Sequence, residues 1–312
     1  MTNDKSIKSQ SKYSFLNFMN DIITQLHKNG QRKTWQHYRA TLNSFMCFRQ
    51  QKDLSLRKMN AKVIEAYEAY LKQQDVCRNT SSFYMRILRA VYNRAVEQGL
   101  VVQQHPFRRV YTGIDKTRKR AIPFDVVRRI NQLDLQHSPS CELAKDAFML
   151  SFYLRGISFV DLAHLKKSDI HDGYLRYNRS KTRQQITVRW EPQMQALVDK
   201  YKYLTNGSPY LFPFLHNNSG EEKTESQLYH NAESRITYQL NKIRQQLGIS
   251  GNLTLYVARH SWATAARDHH QPISVISEAL GHDSETTTQI YLRSIQTSEV
   301  DTLNAKLLSE LL

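Results

Sequence analysis

Four stripes of apolar side chains at helical spacing follow one another over residues 13–99 and leave little room for anything but a helical domain there. Tyr13, Leu16, Met19, Ile22, Ile23 and Leu26 recur with the period of one helix face, and Gly30 follows as a stop. Thr34 offers a cap for a second helix that puts Trp35, Tyr38, Leu42, Phe45 and Met46 on one side. Asn60 can cap a third, bearing Val63, Ile64, Tyr67, Tyr70 and Leu71. Asn79 opens a fourth, with Phe83, Ile87, Leu88, Val91 and Tyr92, which Gly99 ends. These stripes read as core. The opposite faces carry Arg32, Lys33, Arg78, Arg86, Arg89 and Arg94, either a solvated surface or a contact with a polyanion.

The chain has 312 residues, enough for two domains of ordinary size. Residues 1–105 are assigned to the helical unit and 106–122 to a basic linker, where His105-Pro106-Phe107-Arg108-Arg109 breaks the pattern. Lys116, Arg118, Lys119 and Arg120 make a basic run within it. Residues 123–312 form the second unit. Pro123 suits a first helical turn, and a helix over 142–154 leads to Arg155-Gly156. Residues 173–178 and 185–190 read as two strands of a hairpin around 179–183. Helices dominate from Glu191 onward. The fold class is mainly α, with a small β-hairpin or sheet in the second unit.

Lysine and arginine number 44 against 28 acidic residues, a formal net charge of +16. That excess points to nucleic acid, because neutralising phosphates releases counterions. A merely basic surface is the plain alternative. Cys47, Cys77 and Cys141 are few, scattered and odd in number, so reduced thiols are expected and no metal site or cofactor. His269-His270 sits in a polar stretch and reads as surface. No signal peptide opens the sequence, and its longest apolar run, near 147–154, is too short for a bilayer. A soluble cytoplasmic protein is the expectation.

The residues with the most chemistry lie near the C-terminal end. They are Arg259 in Ala258-Arg259-His260-Ser261, His282 in Leu280-Gly281-His282, and Tyr291 nine positions on. Arginine offers a planar fork of donors to phosphate oxygens. Histidine donates to a phosphate or moves a proton. Tyrosine can attack a polarised phosphodiester covalently. In order and spacing these residues resemble the C-terminal signature of the tyrosine recombinase (phage integrase) family. The resemblance covers the second unit and, more loosely, the first.

It implies a helical, SAM-like core-binding domain and a mostly helical catalytic domain that together clamp double-stranded DNA. One strand is cut by the tyrosine, which leaves a 3′-phosphotyrosine and a free 5′-hydroxyl, and a strand hydroxyl then attacks that linkage. No metal or cofactor is required. Tyr291 matches the nucleophile, Arg259 the second family arginine, His282 the Leu-Gly-His histidine and Lys181 the hairpin lysine that protonates the leaving oxygen. Nucleoid association in a bacterium follows from the same resemblance.

Two positions depart from the family pattern. Where the family has His-x-x-Arg this chain has Tyr256, which can hydrogen-bond a phosphate oxygen but carries no imidazolium charge. Counting back without a gap from Leu165 and Asp169 puts Ser158 where the family has its first arginine, and Asp161 where it has a glutamate. If the segment is helical, Arg155 shares a face with Ser158 and can supply the missing charge. Asp161 is expected to orient an arginine or cap a helix. These variants resemble a branch found among Bacteroidetes mobile-element integrases and invertases. After the tyrosine, Val300, Leu303, Leu307 and Leu311 form one stripe, widened by Leu308 and Leu312. The resemblance implies that this tail docks on a neighbour to give a homo-tetramer on two DNA sites, with a monomer or weak dimer off DNA. Packing on its own domain is the alternative. A chromosome-dimer resolvase and a DNA-binding protein that has lost catalysis remain as rival readings.

Overall fold

Each of the four stripes forms a helix: α1 (Phe15–Lys28), α2 (Arg32–Phe48), α3 (Ala61–Gln73) and α4 (Arg78–Glu97). The structure is a computed structural model that describes residues 14–115, 121–216, 223–282 and 284–293, with only the backbone of Ile290, Tyr291 and Arg293. It divides into two units, Met1–Lys116 and Thr117–Leu312. Tyr13, the basic run at 116–120 and the apolar tail at 299–312 lie outside the described residues.

The core of the first unit is the set of striped residues, including Phe45, Tyr67, Leu88 and Tyr92, all at or near full burial. Asn60 caps α3 as expected, its Oδ1 accepting from the Val63 amide at 3.2 Å. Thr34 does not cap α2, which starts two residues earlier. Gly30, at φ +68, turns the chain so tightly that Arg32 is already helical, and Gln31 precedes it with no side-chain cap. Helix α4 likewise starts one residue before Asn79. The Asn79 amide is thereby free to pair with the backbone of Asp115, donating at 3.1 Å and accepting at 2.7 Å. Residues 106–115, expected at the head of a linker, pack onto this unit. Phe107 and Val110 join its core, and the Ser82 hydroxyl donates to Gly113 O at 2.5 Å.

The second unit contains α5 (Phe124–Gln132), α6 (Pro139–Tyr153), α7 (Phe159–Ala163), β1 (Ile170–His171), β2 (Tyr174–Asn178) and β3 (Gln185–Arg189). There follow α8 (Pro192–Lys200), α9 (Glu225–Gln246), α10 (Leu255–Asp268), α11 (Ile273–Leu280) and α12 (Glu285–Arg293). Helix α6 is buried on several sides because its sequence is apolar nearly all round, from Ala144 through Leu150, and it packs against α9 and α10. The expected hairpin is present as β2 and β3, antiparallel with Leu175 opposite Val188. A two-residue third strand, β1, adds to the β2 edge and was not anticipated. Leu175, Ile186 and Val188 turn inward to the core. Cys141 is buried, whereas Cys47 and Cys77 are exposed, and all three are free. Among the described residues, no helix is long and apolar enough to cross a membrane.

Candidate active site

Helix α10 carries Tyr256 and Arg259 one turn apart, with opposite fates. Tyr256 is 55% exposed and meets the ring of His260 edge-on at 4.5 Å. Arg259 is 5% exposed. A buried guanidinium needs partners, and this one spans two distant turns. Its Nη1 donates to Gly156 O at 3.0 Å, and its Nη2 donates to Leu280 O at 2.6 Å and lies 3.1 Å from His282 Nε2.

The segment around Arg155 is not helical, contrary to the condition under which Arg155 and Ser158 would share a face. Helix α6 ends at Tyr153, and Arg155 and Gly156 both adopt left-handed backbone, at φ +59 and +76. The Gly156 amide closes the turn on Ser151 O at 2.7 Å. A Cβ on Gly156 would collide with the backbone and stem of Arg259, so only glycine lets the turn come this close. Ser158 precedes α7, and its hydroxyl donates to Asp161 Oδ2 at 2.6 Å. Asp161 is buried and also accepts from the Ser180 amide at 2.9 Å. Its carboxylate thus fixes the start of α7 and holds the hairpin.

Arg155 still belongs to the cationic end of this unit. Tyr177, on β2, has its hydroxyl pushed well above the usual phenol range by burial. The Asp161 carboxylate adds to the rise, while Arg259, Arg179 and Arg155 oppose it. Three arginines from separate parts of the chain therefore act on one side chain. Arg179 was not singled out from the sequence, where it looks like one of two flanks of Lys181. In the fold its Nη1 donates to Gly281 O, 102 positions away. Gly281, at φ +61, adopts the left-handed backbone that favours glycine, and Ile186 Cδ1 packs where a Cβ would sit. Lys181 is exposed at the hairpin tip, with no hydrogen bond or ion pair among the described residues.

His282 is half-buried, and its Nδ1 lies 2.8 Å from Thr288 Oγ1. Thr288 is fully buried on α12, the helix whose backbone includes Tyr291. Leu292, next to Tyr291, is buried with Ala263, Ile276 and Leu280. Thr288 is a second residue that the sequence reading passed over. Arg259 and His282 are thus brought together, the turn of Arg155 lies against Arg259, and Lys181 and Tyr256 stand at the surface.

Residues 14–111 match the model of the phage integrase SAM-like domain, and residues 120–297 match that of the phage integrase family. The chain belongs to the phage integrase family. It is a tyrosine recombinase, an enzyme of site-specific DNA strand transfer. The tyrosine recombinase XerC of Leptospira interrogans is 24% identical over 91% of this chain and 88% of its own length. The tyrosine recombinase XerA of Pyrococcus furiosus is 30% identical over 58% and 59%. Among solved structures, a lambda integrase (75–356) dimer bound to a COC′ core site superposes with a TM-score of 0.68 at 19% identity, covering 89% of this chain and 95% of that one. The XerH recombinase on a palindromic difH substrate, a post-cleavage complex, gives 0.65 at 16% identity, over 91% and 84%. These likenesses agree with the helical two-unit fold.

Proposed function

We propose that this recombinase cuts one DNA strand by attack of the Tyr291 hydroxyl on a backbone phosphorus. A 3′-phosphotyrosine forms as the phenol proton passes to His282, and the 5′-oxygen leaves with a proton from Lys181. Arg259 and His282 hold the non-bridging phosphate oxygens, and Arg155 and Arg179 supply further positive charge. Such preorganised donors stabilise the charge that develops in the transition state. Tyr256, exposed at the start of α10, reaches a phosphate oxygen from the rim. The reverse step, attack of a 5′-hydroxyl on the phosphotyrosine, restores the tyrosine and seals the strand. The observation that carries this reading is the buried Arg259 fork lying 3.1 Å from His282, on the turn that leads into the helix of Tyr291.

The DNA is double-stranded, and the assembly is a homo-tetramer on two sites. Lambda integrase has been solved as a tetramer bound to a Holliday junction, and its likeness to this chain in fold supports the proposal. The place of action is the bacterial cytoplasm, and the outcome is integration, excision or inversion of DNA. The test is a suicide DNA substrate that stalls after the first cut. Wild type should accumulate a covalent protein–DNA adduct, and Tyr291→Phe should form none while binding a single site as wild type does. Adduct formation by the Phe variant would move the nucleophile elsewhere, and no adduct from wild type would leave a DNA-binding protein without cleavage.

A further inference from the structure

We infer that Thr288 is a positioning residue that sets the tautomer of His282, and so decides which ring nitrogen exchanges a proton during strand cleavage. This rests on the function proposed above. The argument starts from what each group can donate. A guanidinium has donors only. Arg259 Nη2 lies 3.1 Å from His282 Nε2, so Nε2 must face it with a lone pair. In a neutral ring the single proton is then on Nδ1, which points at Thr288 Oγ1 at 2.8 Å. Thr288 accepts that proton's hydrogen bond, and its own hydroxyl proton is free to turn elsewhere.

The hydroxyl is well placed for a fixed task. Thr288 is fully buried, and His282 is further held by its backbone amide, which donates to Ser277 O at 3.0 Å. The backbone and Nδ1 are both anchored. Nε2 then lies on the Arg259 side, where the phosphate is to be bound. His282 accordingly enters the reaction with Nε2 as a proton acceptor. Once protonated there, it becomes a donor to a phosphate oxygen. Thr288 also lies on the same helix as Tyr291, three residues before it. The bond that orders the histidine is therefore made only when that helix is seated.

The experiment compares Thr288→Val, which keeps the shape and removes the hydroxyl, with Thr288→Ser, which keeps the hydroxyl. Cleavage of the suicide substrate and single-site binding are measured for each, alone and in a His282→Ala background. Thr288→Val should slow cleavage by about tenfold or more, the scale at which orienting and proton-transfer groups act. Its binding should stay near wild type, and Thr288→Ser should restore most of the rate. In the His282→Ala background Thr288→Val should add little, because the two residues act as one unit. An undiminished loss in that background, or a Val variant that cleaves like wild type, overturns the proposal. Nitrogen NMR of the His282 ring in the DNA-free wild type decides independently of activity and of how any variant folds. A neutral ring with its proton on Nδ1 supports the assignment, and a proton on Nε2, in a neutral or a doubly protonated ring, refutes it. A wild type that forms no adduct defeats the cleavage reading instead and leaves the NMR result standing.

Discussion

At the scale of single residues, the open position is the first arginine, for which the sequence offers Ser158. Ser158 spends its hydroxyl on Asp161, so it has little to give a phosphate. Arg155 and Arg179 both act on Tyr177 together with Arg259. Replacing Arg155 or Arg179 by alanine should therefore lower single-turnover cleavage far more than Ser158→Ala, by about a hundredfold for whichever of the two holds the phosphate. Equal, mild effects of all three would mean that the role is filled elsewhere. Arg259, His282, Lys181 and Tyr256 drew notice in the sequence because each sits in a short run whose residue types belong together, and the fold brings Arg259 and His282 within 3.1 Å. Arg179 and Thr288 were not, because what distinguishes them is a partner brought near only by folding. Arg179 has an ordinary charged flank for a local context, and its contact lies 102 positions away. The left-handed pair Arg155-Gly156 was hidden for a similar reason. A glycine announces freedom, but nothing in the sequence says that Arg259 will press against it.

At the scale of elements, local periodicity made the first four helices readable, and their starts were less so. Thr34 is a good capping residue left inside a helix because Gly30 reverses the chain before it. Strand β1 has two residues and α7 has five, too few for any period to register. The joint between α6 and α8 is likewise invisible in the sequence. Asp146, 2% exposed, accepts from Lys200 Nζ at 2.6 Å and from the Tyr201 hydroxyl at 2.8 Å, and Glu142 meets the same ammonium at 2.6 Å. Burial pulls the Lys200 ammonium down, but its bonds to Asp146 and Glu142 outweigh that and leave its pKa above the ordinary value. Lys200→Met should destabilise the second unit by about 2 kcal/mol. That is below the usual cost of orphaning a buried charge, because the Lys200 side chain is 35% exposed. A raised lysine contributes fully below its unfolded pKa of about 10.4. The difference from wild type in urea midpoints should thus stay level through neutral pH, shrink as pH rises above that value and be gone once it has passed the raised folded value. A difference that vanished at pH 7 would mean the staple contributes nothing.

At the scale of the whole molecule, the charge of +16 and the division into two units were readable from composition and pattern. Residues 299–312 lie beyond the described residues, and their role is argued from the Val300, Leu303, Leu307, Leu311 stripe alone. Burying several such side chains is worth about 1.5–3 kcal/mol each. If the stripe docks on a neighbouring protomer, deleting 299–312 should weaken pairing of two DNA sites, read by gel shift, much more than binding of one. Loss of single-site binding, with pairing intact in whatever folds, would place the stripe on its own domain. The hairpin that bears Lys181 is bolted to the turn that bears His282, by Arg179 on Gly281 and by Ile186 against the same glycine. It is bolted again to the start of α7, by Ser180 on Asp161. Local opening in proteins follows such cooperative blocks rather than stretches of sequence. Swinging the hairpin out would break these contacts and uncover the histidine turn, so Lys181 and His282 are expected to open together, as one block.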